Sequence, residues 1–378
     1  MLMDMSSEMI HSLLPLFLVS ALGASTLAVG VIEGVAEATA SITKIFSGTL
    51  SDRIGRRKVL TIIGYGMAAL TKPMFPLATT VGWVVTARVV DRVGKGIRGA
   101  PRDALVADLA PPELRGASYG LRQSLDTVGA FAGPLLAIAF MALSGDDFRF
   151  VFWLATVPAF AAVALLIVGV REPAEPRGGG RAPLRVSDVR ELGLAYWWVV
   201  AVASVLALAR FSEAFLVLRA QSVGLAIALA PMVMVIMNVV YALTAYPAGY
   251  LSDRLGRRHV VAVGVLLLVG GDVVLARAGG VAELTVGIVL WGLHMGLTQG
   301  TFSALVADTS PTRLRGTAFG IFNLLGGAAT LAASVLAGWL WSRYGPAATF
   351  HVAAVVAFVA LAGLVLGSAA FTQRARGR

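Results

Sequence analysis

Gly48-Thr-Leu-Ser-Asp-Arg-Ile-Gly-Arg-Arg-Lys58 decides how this chain is read, because Gly249-Tyr-Leu-Ser-Asp-Arg-Leu-Gly-Arg-Arg-His259 repeats it about 200 residues later in a chain of 378. A second pair keeps nearly the same offset. Ala104-Leu-Val-Ala-Asp108 followed by Leu114-Arg-Gly116 returns as Ala304-Leu-Val-Ala-Asp308 followed by Leu314-Arg-Gly316. Two separate matches at nearly one spacing make the chain a tandem duplication of one design.

Composition sets the solvent. Hydrophobic residues make up 57% of the chain, mean hydropathy is +0.81 and charged residues are only 14%, against the ~25% charged of a soluble domain. Apolar runs follow one another, each near the ~20 residues that cross a ~30 Å hydrocarbon core, with short polar loops between them. Hydropathy predicts about twelve spans: 1–22, 27–50, 59–78, 81–108, 114–142, 148–170, 193–218, 224–250, 260–278, 282–307, 313–341 and 346–370. No run alternates over the ~10-residue segments of a membrane barrel, and backbone in lipid must be satisfied within its own element, so the spans read as helices. The expected fold is an all-α membrane protein with twelve transmembrane helices in two pseudo-symmetric six-helix bundles.

Arg171-Glu-Pro-Ala-Glu-Pro-Arg-Gly-Gly-Gly-Arg-Ala-Pro183 has linker chemistry. It divides an N-terminal bundle, 1–170, from a C-terminal bundle, 193–378, with 171–192 as a cytoplasmic linker. If the spans alternate, Arg53, Arg56, Arg57, Lys58, the linker arginines, Arg254, Arg257, Arg258, Arg374, Arg376 and Arg378 all fall on one side. The opposite loops hold only scattered charges such as Arg149, Arg219, Arg277 and Arg343. The positive-inside rule then places both termini in the cytoplasm, with a bacterial inner membrane as the expected location. The first apolar run contains Asp4 and Glu8 and lacks a basic leader, so it is not a cleavable signal peptide. Those acids lie so near Met1 that either the first helix is short or the true start lies upstream.

Several classes drop out. With no cysteine, and with His11, His259, His294 and His351 scattered, no disulfide, metal site or cofactor is expected. The 31 Lys and Arg against 21 acidic residues follow from topology, with no basic arm interleaved with aromatics, so no nucleic-acid partner is expected. Neither a Walker loop, a nucleophile elbow nor H-E-x-x-H occurs, which disfavours an enzyme or an ATP-driven pump.

Two six-helix halves, a central linker, and G-x-L-S-D-R-x-G-R-R between helices two and three and again between eight and nine resemble the major facilitator superfamily of secondary transporters. The resemblance covers essentially the whole chain. It implies a solute site near the midplane between halves, exposed alternately to each side. The implied partners are a small-molecule substrate, protons and the lipid bilayer, with the protein a monomer. It further implies that Gly48 allows close helix approach, and that Asp52 and Arg56 join a cytoplasmic charge cluster holding the outward-open state shut inside. By position Gly249, Asp253 and Arg257 play the matching part, and Asp108 and Asp308 complete the expected gating set. A loop serving topology alone would not demand the Gly and Asp.

The fourth span carries the densest chemistry, Arg88-Val-Val-Asp-Arg-Val-Gly-Lys-Gly-Ile-Arg-Gly-Ala-Pro-Arg-Asp103. At ~100° per residue, Arg88, Asp91, Arg92, Lys95, Arg98 and Arg102 share roughly a third of the circumference. Ionisable groups at membrane depth are costly unless they face partners or a wet cavity, so they point to function. The family carries an Arg at the position of Arg88, linked to coupling or substrate. This chain departs from that pattern where Asp91 and Arg92 replace neutral residues. Acidic partners occur at helical spacing: Asp4 and Glu8 on the first span, Glu33 and Glu37 on the second with Lys44 beyond them, and Asp126 with Arg122 on the fifth. Two readings stand: buried pairs that only fix packing, or groups that handle ions and substrate.

The repeat favours the second reading. Glu37 falls on Asn238, Asp91 on Trp291, Arg92 on Gly292, Lys95 on Met295, Arg122 on Phe322 and Asp126 on Gly326, so the second copy dispenses with the charges. Proton-coupling candidates are therefore Glu37 first, then Glu33, Glu8, Asp4 and Asp126, since burial and neighbouring cations shift a carboxyl in opposite directions. Cavity candidates are Arg88, Asp91, Arg92, Lys95, Arg122 and Lys44, with Asn238, Tyr241 and Asn323 from the second half. The cations suit an organic acid or an anionic metal chelate, and Glu33 and Glu37 equally suit a cationic drug. Gly129-Ala-Phe-Ala-Gly-Pro134 resembles the superfamily's antiporter motif, though Leu135-Leu136-Ala137 stand where glycines usually follow, and the export direction rests on it. A sensor or channel is the non-transport alternative.

Overall fold

A computed structural model describes residues 1–54, 57–109, 115–170, 191–311 and 314–376, and among them every regular element is helical. The first half runs α1 (Leu2–His11), α2 (Leu14–Leu16), α3 (Thr26–Ile54), α4 (Arg57–Thr71), α5 (Met74–Leu77), α6 (Val81–Leu109), α7 (Arg115–Ser144) and α8 (Phe148–Gly169). The second runs α9 (Leu194–Ala209), α10 (Ala214–Ser222), α11 (Met232–Leu255), α12 (Arg257–Arg277), α13 (Val281–Thr309), α14 (Arg315–Tyr344) and α15 (Pro346–Arg376). Each expected span has its helix or helix pair.

The described residues hold 10 segments long and apolar enough to cross a membrane. The third and fourth spans miss that standard for reasons visible in the sequence. Helix α4 stops at Thr71, ahead of Lys72-Pro73, and α6 carries the charge-rich stretch. At 29 residues and a rise of ~1.5 Å each, α6 is nevertheless longer than the hydrocarbon core is thick.

The first span of each half is broken at matching places. Helix α1 ends at His11, Pro15 sits in the first turn of α2, and a π-helical turn follows over Phe17–Ala21. Helix α9 ends at Ala209 and α10 resumes at Ala214. Ser12 and Ser212 lie in the two gaps, 200 positions apart. Backbone freed by the second break is satisfied locally, as Ser334 Oγ accepts from the Ser212 N–H at 3.1 Å, the condition for irregular backbone at membrane depth.

The chain divides into two compact units, one of Met1–Ser25, Val35–Pro183 and Ala226–Val235, the other of Thr26–Gly34, Leu184–Leu225 and Ile236–Arg378. In the first, α1 packs on α7 and α8, and α4 on α6 and α8; in the second, α12 packs on α13 and α15, and α9 on α14 and α15. Small residues set the closest approaches. A Cβ on Gly64 would lie 2.7 Å from Gly94 O and Arg98 N, and one on the matching Gly264 would lie 2.6 Å from Thr298 Cγ2, so each copy seals its α4–α6 or α12–α13 seam with a glycine.

Arg149 and Arg219 prove to be helix-end caps rather than topology charges. Arg149 donates to the carbonyls of Pro76 and Ala78, and Arg219 to those of Leu275 and Ala278. Both copies thus cap the same turn with an arginine, taken from different helices. Arg219→Ala is expected to destabilise the folded protein by ~1–3 kcal/mol, the cost of leaving buried carbonyls unmet, measurable as a lower thermal midpoint.

Candidate functional site

In the first unit, helix α6 presents its cations to carboxylates on three other helices. Lys72, just past α4, donates to Asp91 Oδ1 at 2.8 Å and to Ser7 Oγ at 3.0 Å. Arg92 Nη1 lies 3.3 Å from Glu37 Oε1 on α3. Further along, Arg98 lies 3.9 Å from Asp4 on α1, and Arg102 3.4 Å from Asp126 on α7. Arg122 closes the same group, 3.8 Å from Asp126. His11 Nδ1 lies 3.5 Å from Glu8.

Burial sorts these groups. Arg88, Asp91, Arg92 and Arg98 are at most 5% exposed, whereas Lys95 on the same helix is exposed. The Glu37 side chain is 39% exposed against 5% for its partner Arg92. A buried cation is therefore held by a partly exposed anion. Glu33 is buried, 1% exposed, in the stretch Thr26–Gly34 that belongs to the second unit. Lys44 is exposed.

The glycines of Gly129-Ala-Phe-Ala-Gly-Pro134 have a definite local role. A Cβ on Gly129 would meet Asp4 Cβ at 3.0 Å, and one on Gly133 would meet Glu8 Cβ at 2.7 Å and Met5 O at 2.6 Å. The motif brings α7 against α1 at the two turns that carry Asp4 and Glu8.

The second unit holds Asn238 and Tyr241 on α11 and Asn323 on α14, all half-buried. Its ionisable groups differ in kind. His294 is fully buried, with Nδ1 2.8 Å from Gly264 O. Arg210, at the α9 break, has the Glu213 carboxylate within electrostatic reach.

The repeated loop motif is seen in its second copy. Arg257 Nη1 lies 2.5 Å from Asp308 Oδ2, and Arg257 Nη2 lies 3.8 Å from Asp253, so α11, α12 and α13 meet in one charge cluster. The role expected of Gly249 needs correction. A Cβ there would meet nothing within 4 Å among the described residues, while Gly256 of the same motif adopts φ +89 at the start of α12. That backbone region favours glycine. Gly48, Asp52 and Asp108 lie in described helices, but their surroundings, and all of Arg56, fall outside the described residues.

Lys72, His11 and Tyr65 are contributors that the sequence alone does not single out. Tyr65 lies under Arg98, 4.6 Å from its ring centroid, and its hydroxyl accepts from Arg102 at 3.3 Å. The signal for Lys72 is its position, in an apolar run directly before a proline.

These features define a multi-pass helical membrane protein made by duplication, with an ionised interior in its first unit. The sequence profile of the Major Facilitator Superfamily matches residues 1–219 and again 200–377, and the chain belongs to that family of transporters. It is similar to an MFS-type transporter of Methanocaldococcus jannaschii, 31% identical over 371 residues, which span 96% of this chain and 91% of that protein. A Streptomyces glaucescens tetracenomycin C resistance and export protein is 34% identical over 135 residues, 35% of this chain and 25% of that one. Among solved structures, the nucleoside transporter NupG matches with TM-score 0.78 at 12% identity, over 97% of this chain and 96% of that one. A bacterial homologue of the human lysosomal transporter Spinster matches with TM-score 0.82 at 16% identity, over 98% and 95%. At such identities the likeness is one of fold.

Proposed function

We propose that the protein is a proton-coupled secondary transporter of a small anionic solute, an organic acid or an anionic metal chelate, working by alternating access between bundles 1–170 and 193–378. The observation that carries this reading is the Glu37–Arg92 pair, a buried guanidinium facing a half-exposed carboxylate. Protonating Glu37 removes one anion from the surroundings of the buried Arg92, a loss that a membrane interior penalises and that an anionic solute makes good. Proton and anion then bind cooperatively. We place the basic loops and both termini in the cytoplasm of a bacterial inner membrane, with the protein a monomer and the Asp253–Arg257–Asp308 cluster as a gate on that side.

Glu37→Gln is the test. The variant is expected to keep substrate exchange in proteoliposomes but to lose the dependence of uptake on a pH gradient, and uptake that still followed the gradient would remove Glu37 from coupling. Arg92→Ala and Arg122→Ala are expected to weaken anion binding by about tenfold or more, the scale of a lost charge-assisted hydrogen bond. Undiminished affinity in both would remove the anion reading.

A second reading, proton/drug antiport of lipophilic cations, draws on the exposure of Glu37 and on relatives named for export and multidrug resistance. It reverses the linkage. A cation would compete with the proton for Glu37, so its affinity would fall as pH falls, whereas anion affinity would rise. Binding measured at two pH values separates them, and the export direction belongs to the competitive case.

A further inference from the structure

The duplication sets Asp272 where the first copy has Lys72, and Trp291 where it has Asp91, each 200 positions on. The contact itself is kept. Lys72 Nζ donates to Asp91 Oδ1 at 2.8 Å, and the Trp291 indole N–H donates to Asp272 Oδ1 at 2.8 Å. Its charge is not kept. The first copy joins a cation to an anion, while the second offers a carboxyl group only a neutral donor.

Asp272 is 0% exposed and Trp291 1%. Asp272 Oδ2 is buried and has no hydrogen-bond partner among the described residues. Among the described residues, none of the neighbouring ionisable groups supplies the missing charge. On α13, Glu283 and Asp308 are exposed, and His294 engages Gly264, two turns of α12 away from Asp272. On α15, His351 is exposed, and Arg374 and Arg376 stand at the far end. On α12 itself, Arg277 is exposed, and Arg257, Arg258 and His259 begin the helix. Arg219 of α10 commits its three nitrogens to Leu275 O, Ala278 O and Ser222 Oγ. Arg210, past the end of α9, has the Glu213 carboxylate within electrostatic reach.

An ionised carboxylate in such surroundings would forgo hydration and gain no cation in return, a far larger penalty than that of the neutral acid. We infer that Asp272 is a proton-binding site in the second half, held as the neutral carboxylic acid, with a proton standing where the first half uses the ammonium of Lys72. The residue is a different one from Glu37 and the other carboxylates singled out in the first half.

Infrared spectroscopy of the purified protein at neutral pH reads this directly, since the C=O stretch of a protonated carboxyl lies clear of the carboxylate bands and moves down in D2O. Asp272→Asn, which keeps an acceptor for Trp291, is expected to remove one such band. Trp291→Phe is expected to move the same band by freeing the carbonyl from its donor, and it covers the case in which the first variant fails to fold. A wild-type minus Asp272→Asn difference showing only carboxylate bands, or a Trp291→Phe spectrum with no protonated-carboxyl band displaced, overturns the proposal. Glu37→Gln is expected to keep the band. The readout needs no substrate, so it stands or falls apart from the transport reading.

Discussion

Lys72→Met is expected to destabilise the protein by ~3–5 kcal/mol, because it strips the counter-charge from a buried carboxylate. Asp91 is 5% exposed and Lys72 1%, and the ammonium also holds Ser7 Oγ at 3.0 Å on α1. Met keeps most of the volume, so the loss is electrostatic rather than a cavity. Thermal unfolding in detergent, followed by fluorescence, reads the effect. Adding Asp91→Leu removes the orphaned charge as well and is expected to recover most of the lost stability, since replacing both partners by apolar groups is close to neutral. A single variant as stable as the parent would show that water reaches Asp91. The double variant also decides between the two readings of the α6 charges. If it folds and transports, this pair serves packing; if it folds and does not, Asp91 lies on the solute or ion path.

The helices are legible in the sequence because lipid forces backbone hydrogen bonds into the segment, so length and hydropathy nearly determine the element. The breaks are not. Nothing local in Arg210-Phe211-Ser212-Glu213 forbids a helix, and the gap there depends on Ser334, 122 residues away, accepting the freed N–H. Charge on one face of α6 is readable from spacing, yet spacing names no partners. It groups Asp91 with the cavity residues, whereas the geometry ties Asp91 to Lys72 just past the neighbouring helix. Gly249 shows the reverse limit. Its motif is recognisable, but the conformational demand falls on Gly256, because only backbone angles tell a turn glycine from a packing one.

The repeat carries more than topology. The same seam holds Lys72–Asp91 in one copy and Asp272–Trp291 in the other, so one packing geometry serves with and without the charge pair. Where charge is kept without a counterpart in the second copy, as at Glu37–Arg92, one member remains partly exposed.

Gly64→Leu is expected to prevent α4 and α6 from closing, whereas Gly66→Ala two residues along is expected to be neutral or stabilising. A Cβ at 64 would sit 2.7 Å from Gly94 O, Arg98 N and Arg98 Cβ, and one at 66 would meet nothing within 4 Å. Backbone atoms cannot swing aside as a side-chain tip can, so even Gly64→Ala should cost ~1–3 kcal/mol by overpacking, while Gly66→Ala should gain ~0.4–1 kcal/mol from a stiffer unfolded chain. Gly264→Ala is expected to fall between them, because its obstacle is the methyl of Thr298 at 2.6 Å. Thermal midpoints of the three alanine variants should therefore rank 66 above 264 above 64. Position 64 should also disturb Arg98, and with it the contacts to Asp4 and Tyr65, so loss of stability there is expected to come with altered transport. Equal midpoints for the variants at 64 and 66 would mean that the seam is not closed in the working protein.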